Sequence, residues 1–229
     1  MPPRLNWFDR LALWLGRIIL GCVAWVLVWL ALVRLVRHFF AFPVPAFLGR
    51  FIGSRWRRML QPPDEIITHA DIRPGMKVLE LGPGPGTFTL EAAWRVGPVG
   101  CVVAADIEPR MIARLRTKMA QHKVDNIAPI VANVHHLPLQ SKSIDRAFMV
   151  TVLAEIPDPV HALQEIRRIL KPDGLLSISE FLPDPDYPRQ RTVVRWCEAA
   201  GFDLAARHGN AFAYSLAFFR TRSVPSDGR

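Results

Sequence analysis

The chain has 229 residues, half of them hydrophobic, with 29 basic against 20 acidic side chains and three cysteines. That is enough for one large or two small domains with a sizeable core. Cys22, Cys101 and Cys197 are scattered, without CxxC or metal-ligand spacing, which excludes a disulfide scaffold, predicts no metal and fits a reducing compartment. The net charge of +9 is weighted toward the start, at Arg34, Arg37, Arg50, Arg55, Arg57 and Arg58, and charge so placed points to a membrane surface ahead of nucleic acid.

The first predicted element is apolar. Ile18 to Val33 carries no charge, and extension across Arg17 to Leu11 gives a span of the roughly 20 residues that a bilayer requires. Arg17 can snorkel near one end, and Trp7 and Trp14 can anchor at an interface, although Trp25 and Trp29 fall inside. A cleaved signal peptide fits worse, because Arg34 and Arg37 follow without a small-residue cleavage pattern. A buried core helix is the other alternative. Residues 1–37 are therefore expected to be a single-pass transmembrane anchor. The arginines after it predict that the rest of the chain faces the cytoplasm, and the arginine and proline usage points to a bacterial cell, hence to its inner membrane. Residues 38–62 mix aromatics, arginines and two prolines, which predicts an interfacial segment or, alternatively, a linker packed on the following domain.

From residue 63 to 220 strand-like and helix-like patterns alternate. Strands are predicted at Lys77–Leu81, Cys101–Asp106, Ile127–Val131, Arg146–Thr151 and Leu175–Glu180. Helices are predicted at Thr87–Val96, Arg110–His122 and Val160–Leu170. This alternation predicts a doubly wound parallel sheet covered on both faces. Near the end a helix closing at Gly201 precedes strands at Asp203–Arg207 and Ala211–Arg220, with His208, Gly209 and Asn210 turning between them. Residues 221–229 read as a disordered tail.

The segment VLELGPGPGTF, Val78 to Phe88, follows the first strand and opens a helix. Ligands of doubly wound sheets bind there, beyond the carboxyl ends of the strands. Gly82, Gly84 and Gly86 clear side chains from the backbone, while Pro83 and Pro85 stiffen the loop. The spacing is GxGxG, with Thr87 where the dinucleotide fingerprint has its third glycine, and no basic residue meets a phosphate. Two acids stand at the strand ends instead, Glu80 and Asp106, the latter suited to ribose hydroxyls. Two acids without a base fit a cofactor with ribose and positive charge but no phosphate.

VLELGPGPGTFTL resembles the first motif of class I S-adenosylmethionine-dependent methyltransferases, of the quinone-type (methyltransferase type 11) branch. VVAADIEPRMI, VANVHHLPLQSKSIDRAFM and ALQEIRRILKPDGLLSISE resemble the later blocks in order. The resemblance implies an α/β, Rossmann-like, doubly wound seven-stranded sheet, parallel with an antiparallel edge strand, here preceded by one transmembrane helix. It implies S-adenosyl-L-methionine as cofactor. Glu80, Leu81, Gly82, Pro83, Gly84 and Gly86 would line its methionine part, Asp106 its ribose, and Ile107 its adenine. Asn133 and Val134 would flank the adenine where the family has Asp–Ala, and Thr151 would lie near the sulfonium. Asp173, between Pro172 and Gly174, departs from the family's Pro-Gly-Gly turn.

A base is needed only if the acceptor must lose a proton. Glu155, past the fourth strand, and Glu180, ending the fifth, are the catalytic candidates; each could instead be a structural carboxylate. His135 and His136 read as loop residues, and Tyr214 as edge packing. The expected function is methyl transfer to a small-molecule or lipid acceptor: a quinone precursor, a lipid headgroup or a hydrophobic metabolite. An NAD-dependent oxidoreductase and a non-catalytic, membrane-tethered scaffold are the alternatives. No nucleic-acid partner is expected, because no Asn-Pro-Pro-Tyr-type tetrad is present.

Overall fold

Five apolar runs become the parallel part of one sheet. In this computed structural model the described residues are 7–39, 61–182, 184 and 186–221. The strands are β1 (Lys77–Leu81), β2 (Cys101–Asp106), β3 (Ile127–Val131), β4 (Ile144–Val150), β5 (Leu170–Phe181), β6 (Phe202–Gly209) and β7 (Ala213–Arg220). Their order is β3-β2-β1-β4-β5-β7-β6. All pairs from β3 through β5 are parallel, and β7 runs antiparallel to both β5 and β6. The single antiparallel strand is thus β7, and it is not at the edge. A tight hairpin returns the chain from β6, so the last strand inserts between β5 and β6.

The helices are α1 (Trp7–Phe39), α2 (Pro63–His69), α3 (Thr87–Val96), α4 (Pro109–His122), α5 (Pro159–Ile169) and α6 (Gln190–Ala199). α4 and α5 each begin one residue before the expected start, on a proline whose missing N–H costs nothing in a first turn. Asp158 caps α5 by accepting from the His161 N–H at 3.2 Å. α2 was not anticipated as a helix. It packs Ile66 and Ile67 into the core, and His69 stacks on His208 of β6 with ring centroids 4.0 Å apart.

Alternation along the strands sends successive side chains to opposite faces. Val78, Val102 and Ala104 join residues of α2 and α3 in one core. Leu79, Leu81, Val103 and Ala105 join Leu163, Ile166, Val193 and Cys197 of α5 and α6 in the other. β5 is longer than expected, because Pro172, Asp173 and Gly174 form a bulge within it: Ile144 pairs with Leu170, and the next pair is Arg146 with Leu175. The β6–β7 turn is shifted too. His208 and Gly209 belong to β6, and Asn210 to Phe212 make the turn.

The chain divides into two compact units, Met1–Pro45 and Ala46–Arg229. In the first, the run expected to span a bilayer lies within the 33-residue α1. From Leu13 to Trp29 every side chain of this helix is exposed. Among the described residues no helix is long and apolar enough to cross a membrane, so the expected transmembrane helix is not established. Arg17 places a charge inside the apolar run. Most of the expected interfacial segment, and the tail beyond Thr221, lie outside the described residues.

Candidate active site

Strand order reverses between β1 and β4, and the glycine loop sits at that crevice. Its three glycines are all left-handed, at φ of 63°, 50° and 75° for Gly82, Gly84 and Gly86. Their neighbours differ. A Cβ on Gly82 would lie 2.5 Å from Val152 Cγ2, and one on Gly86 would lie 2.5 Å from Leu115 Cδ1, whereas one on Gly84 would meet nothing within 4 Å. The outer two glycines let the turn pack against Val152 beyond β4 and Leu115 of α4, and the middle one leaves open space above the loop. Gly82 N–H donates to Ala105 O at 2.9 Å and Gly86 N–H to Pro83 O at 2.8 Å, which ties the turn to β2 and to itself. Leu81 and Pro83 are buried beneath it.

Glu80 is 2% exposed. Burial pushes its carboxyl up to about 8, while the nearby Thr89 hydroxyl and Lys118 charge pull it back and Asp106 adds to the rise. Neither Glu80 Oε2 nor Thr89 Oγ1 has a partner at hydrogen-bonding geometry. Such a carboxyl is proton-bound near neutrality and gains strongly from an incoming cation. Asp106 is half-buried at the end of β2 and accepts from Glu108 N–H at 2.9 Å. Burial raises its pKa, against the backbone N–H groups of Glu108, Gly84 and Ile107. Ile107 stands 70% exposed beyond it.

Across β2, Asn133 is exposed and Val134 half-buried. Asn133 Oδ1 accepts from His135 N–H at 3.0 Å and contacts His135 Nδ1 at 2.9 Å. Its acceptor oxygen is engaged within its own turn, which leaves the amide NH2 as its remaining hydrogen-bonding group. His135 and His136 both pack on His161, at centroid distances of 5.0 and 6.0 Å, so both histidines belong to a loop-to-α5 contact.

Thr151 follows β4 with φ of 53°, an outlying conformation for a β-branched residue. Its N–H donates to Ser179 O and its hydroxyl to Val150 O, both at 2.8 Å, and these bonds hold the strain at the strand end. Thr151→Gly is expected to raise stability by about 1 kcal/mol, strain relief exceeding the glycine entropy, as read from a urea midpoint.

Glu155 closes a 3-10 turn, Leu153–Glu155. It stands with Asp184 and Asp186, their ligand oxygens all within 4.8 Å. The two aspartates were not foreseen, since only the chain's return from β5 brings them to β4. Acids so gathered do not by themselves define a metal site. Glu180 is buried at the end of β5, opposite Tyr214 of β7. The Tyr187 and Tyr214 rings lie 5.6 Å apart, and the Glu180 charge helps burial to raise both phenols. Tyr214 OH donates to Pro188 O at 2.7 Å; its ring is buried in the core, on an interior strand and not at the expected edge. Thr89 and Lys118 were also missed beside Glu80, although Thr89 falls in the first turn of the helix that the glycines open.

A doubly wound sheet with a left-handed glycine turn after β1, a buried acid in β1 and a second acid ending β2 defines a protein that binds an adenosine-type cofactor without phosphates. The pattern of the family described as Methyltransferase domain matches residues 72–208, and the chain belongs to that family, the S-adenosylmethionine-dependent methyltransferases. It is 38% identical over 113 residues to the ubiquinone/menaquinone biosynthesis C-methyltransferase UbiE of Shewanella frigidimarina, covering 49% of this chain and 45% of that protein. It is 30% identical over 119 residues to the arsenite methyltransferase of Halobacterium salinarum, covering 52% and 30%. The chain thus spans half or less of the length of these curated relatives. A SAM-dependent methyltransferase from Aquifex aeolicus superimposes with a TM-score of 0.73 at 20% identity, over 78% of this chain and 100% of that one. The [4+2]-cyclase SpnF superimposes at 0.63 and 15%, over 70% and 80%. These two likenesses establish the fold alone. The family implies S-adenosylmethionine as cofactor. The residues fit it: an orphaned buried carboxyl for a cation, an acid for hydroxyls and open space over Gly84.

Proposed function

We propose that the protein is a membrane-attached methyltransferase acting on a lipophilic acceptor: a quinone precursor, a lipid headgroup or a hydrophobic metabolite. The observation that carries this reading is α1, exposed on its apolar side chains from Leu13 to Trp29. Apart from Arg17, the side chains of that stretch carry no charge, and so much exposed apolar surface on a helix favours an apolar medium. The arginines following it favour a catalytic unit on the cytoplasmic side of a bacterial inner membrane. The quinone-pathway name of one relative agrees with a lipophilic acceptor.

S-adenosylmethionine, when bound, supplies an electrophilic methyl on a sulfonium. Glu80 would offer its carboxylate to the cofactor's positive charge, Asp106 would accept from its vicinal hydroxyls, and Gly84 would keep the approach clear. Leu81, Gly82, Pro83 and Gly86 shape the turn. Ile107, Val134 and the Asn133 amide would hold the adenine, and Thr151 would lie toward the reacting end. Alignment and exclusion of water supply much of the rate in such a displacement. Glu180 and Glu155 are the candidate bases only for an acceptor that has a proton to lose. A second reading, on arsenite, has no support in the cysteines: Cys197 is buried, Cys101 opens β2 at the end away from the loop, and Cys22 lies on α1. Thiophilic substrates need gathered thiolates.

Two measurements test the reading on the full chain in detergent. Asp106→Ala is expected to weaken S-adenosylhomocysteine binding at least thirtyfold by calorimetry, the loss of about 2 kcal/mol or more in hydrogen bonds to a charged acceptor. Labelled methyl is expected in the organic-extractable fraction of a membrane extract, and label confined to polar metabolites would overturn the lipophilic acceptor.

A further inference from the structure

Arg189, Arg191, Arg195 and Arg207 line one groove of about 500 Å³ between α6 and β6, with Thr192 and Val194. All four arginines are exposed. Among the described residues none takes part in an ion pair, and the first turn of α6 carries no acid. Unpaired guanidinium groups sharing a groove repel one another and favour a shared anion, with phosphate the best geometric match.

Beside the groove, Phe212 stands 65% exposed at the β6–β7 turn. Its presentation is built. Phe212 N–H donates to Asn210 Oδ1 at 2.8 Å, and its carbonyl accepts from Leu182 N–H at 2.7 Å. Tyr187 OH donates to Ala211 O at 2.6 Å, and Gln190 Nε2 donates to Asn210 O at 3.2 Å. Gln190 opens the same helix that carries Arg191 and Arg195, so the turn and the groove are one structural piece.

The register places this piece. Arg207 and Ile178 both lie opposite Leu216, and Gly209 and Glu180 both lie opposite Tyr214. β6 therefore ends on the rim where β1, β4 and β5 end. Two strand spacings, about 10 Å, separate it from the Glu180 level. A bilayer surface presents phosphates for the arginines and an acyl boundary for the phenylalanine on the same plane.

We propose that this rim docks on an anionic bilayer, the four arginines taking lipid phosphates and Phe212 entering the acyl boundary, so that the acceptor side of the site faces the membrane. This deepens the membrane reading of the preceding subsection and rests on it. The test sediments the full chain with vesicles of phosphatidylcholine alone and of phosphatidylcholine containing phosphatidylglycerol. Neutral vesicles read the helix, and the gain from phosphatidylglycerol reads the rim.

Each arginine near an anionic leaflet contributes about fivefold in partitioning. The variant Arg189→Gln, Arg191→Gln, Arg195→Gln, Arg207→Gln is expected to lose at least tenfold of the phosphatidylglycerol gain, with neutral binding and S-adenosylhomocysteine affinity unchanged. Phe212→Ser is expected to lower binding to the mixed vesicles several-fold. A variant with four glutamines that keeps the gain overturns the proposal. Loss of poly(U) binding with the vesicle gain intact also overturns it, making the groove a nucleic-acid surface. Millimolar inorganic phosphate that abolishes the wild-type gain overturns it in favour of a free anion. If wild type fails to bind neutral vesicles, the helix attachment falls while the phosphatidylglycerol gain still reads the rim.

Discussion

Glu80→Gln is expected to stabilise the cofactor-free protein and to cripple cofactor binding. The wild-type carboxyl is raised to about 8 by burial, whereas in the unfolded chain it titrates near the ordinary carboxylate value. Between those values the unfolded state is ionised and the folded state keeps its proton. This contribution to stability is therefore complete below the unfolded value, falls as pH rises, and is lost once pH passes about 8. Glutamine does not titrate, so the variant should gain on the order of 3 kcal/mol over wild type at pH 8 and little at pH 4. Thermal melts across that range read the difference. Binding runs the other way. A cationic ligand selects ionised Glu80, so wild-type affinity for S-adenosylmethionine should tighten with pH up to about 8, with proton release visible in buffers of different ionisation enthalpy. The variant should bind at least a hundredfold more weakly, with no such slope, because a buried charge partner contributes about 3 kcal/mol. Equal affinity in both proteins would remove Glu80 from the cofactor site.

Gly82→Ala is expected to cost about 3 kcal/mol of stability, a sum of left-handed backbone strain and overpacking. The overpacking part belongs to one contact, the 2.5 Å approach to Val152 Cγ2. Adding Val152→Ala should recover about 1 kcal/mol or more, a coupling that independent sites would not show. Gly84→Ala is the contrasting case. Its Cβ meets nothing, so stability should fall by about 1 kcal/mol from φ alone. Cofactor affinity should nevertheless drop more than tenfold, because the methyl occupies the approach. Urea midpoints and calorimetry on the three variants separate glycines needed for packing from the one needed for access.

Local signals made much of the catalytic unit legible. β1, β2, β3 and α3 begin and end where apolar runs and glycines place them; β1 and β2 are buried on both faces and are therefore written in consecutive apolar residues, while β3, at the edge and only partly buried, is still an apolar run. The helix α2 was not legible, since seven residues show too few turns for a periodicity. The bulge in β5 was hidden because Pro172 to Gly174 read locally as a turn, and only pairing with β4 draws them into a strand.

The sequence by itself determined the class of site. A glycine turn after one strand, with acids in that strand and at the end of the next, has its meaning written in a continuous stretch of chain. What only the tertiary structure decided involves residues far apart in sequence. Burial among α3 and α4 residues makes Glu80 a proton-holding carboxyl, and Val152 gives Gly82 its reason. The return of the chain from β5 brings Asp184 and Asp186 to Glu155. The insertion of β7 carries Arg207 and Phe212 to the rim where β1, β4 and β5 end, beside the arginines of α6. Desolvation and side-chain proximity depend on long-range packing, and no local spacing encodes them.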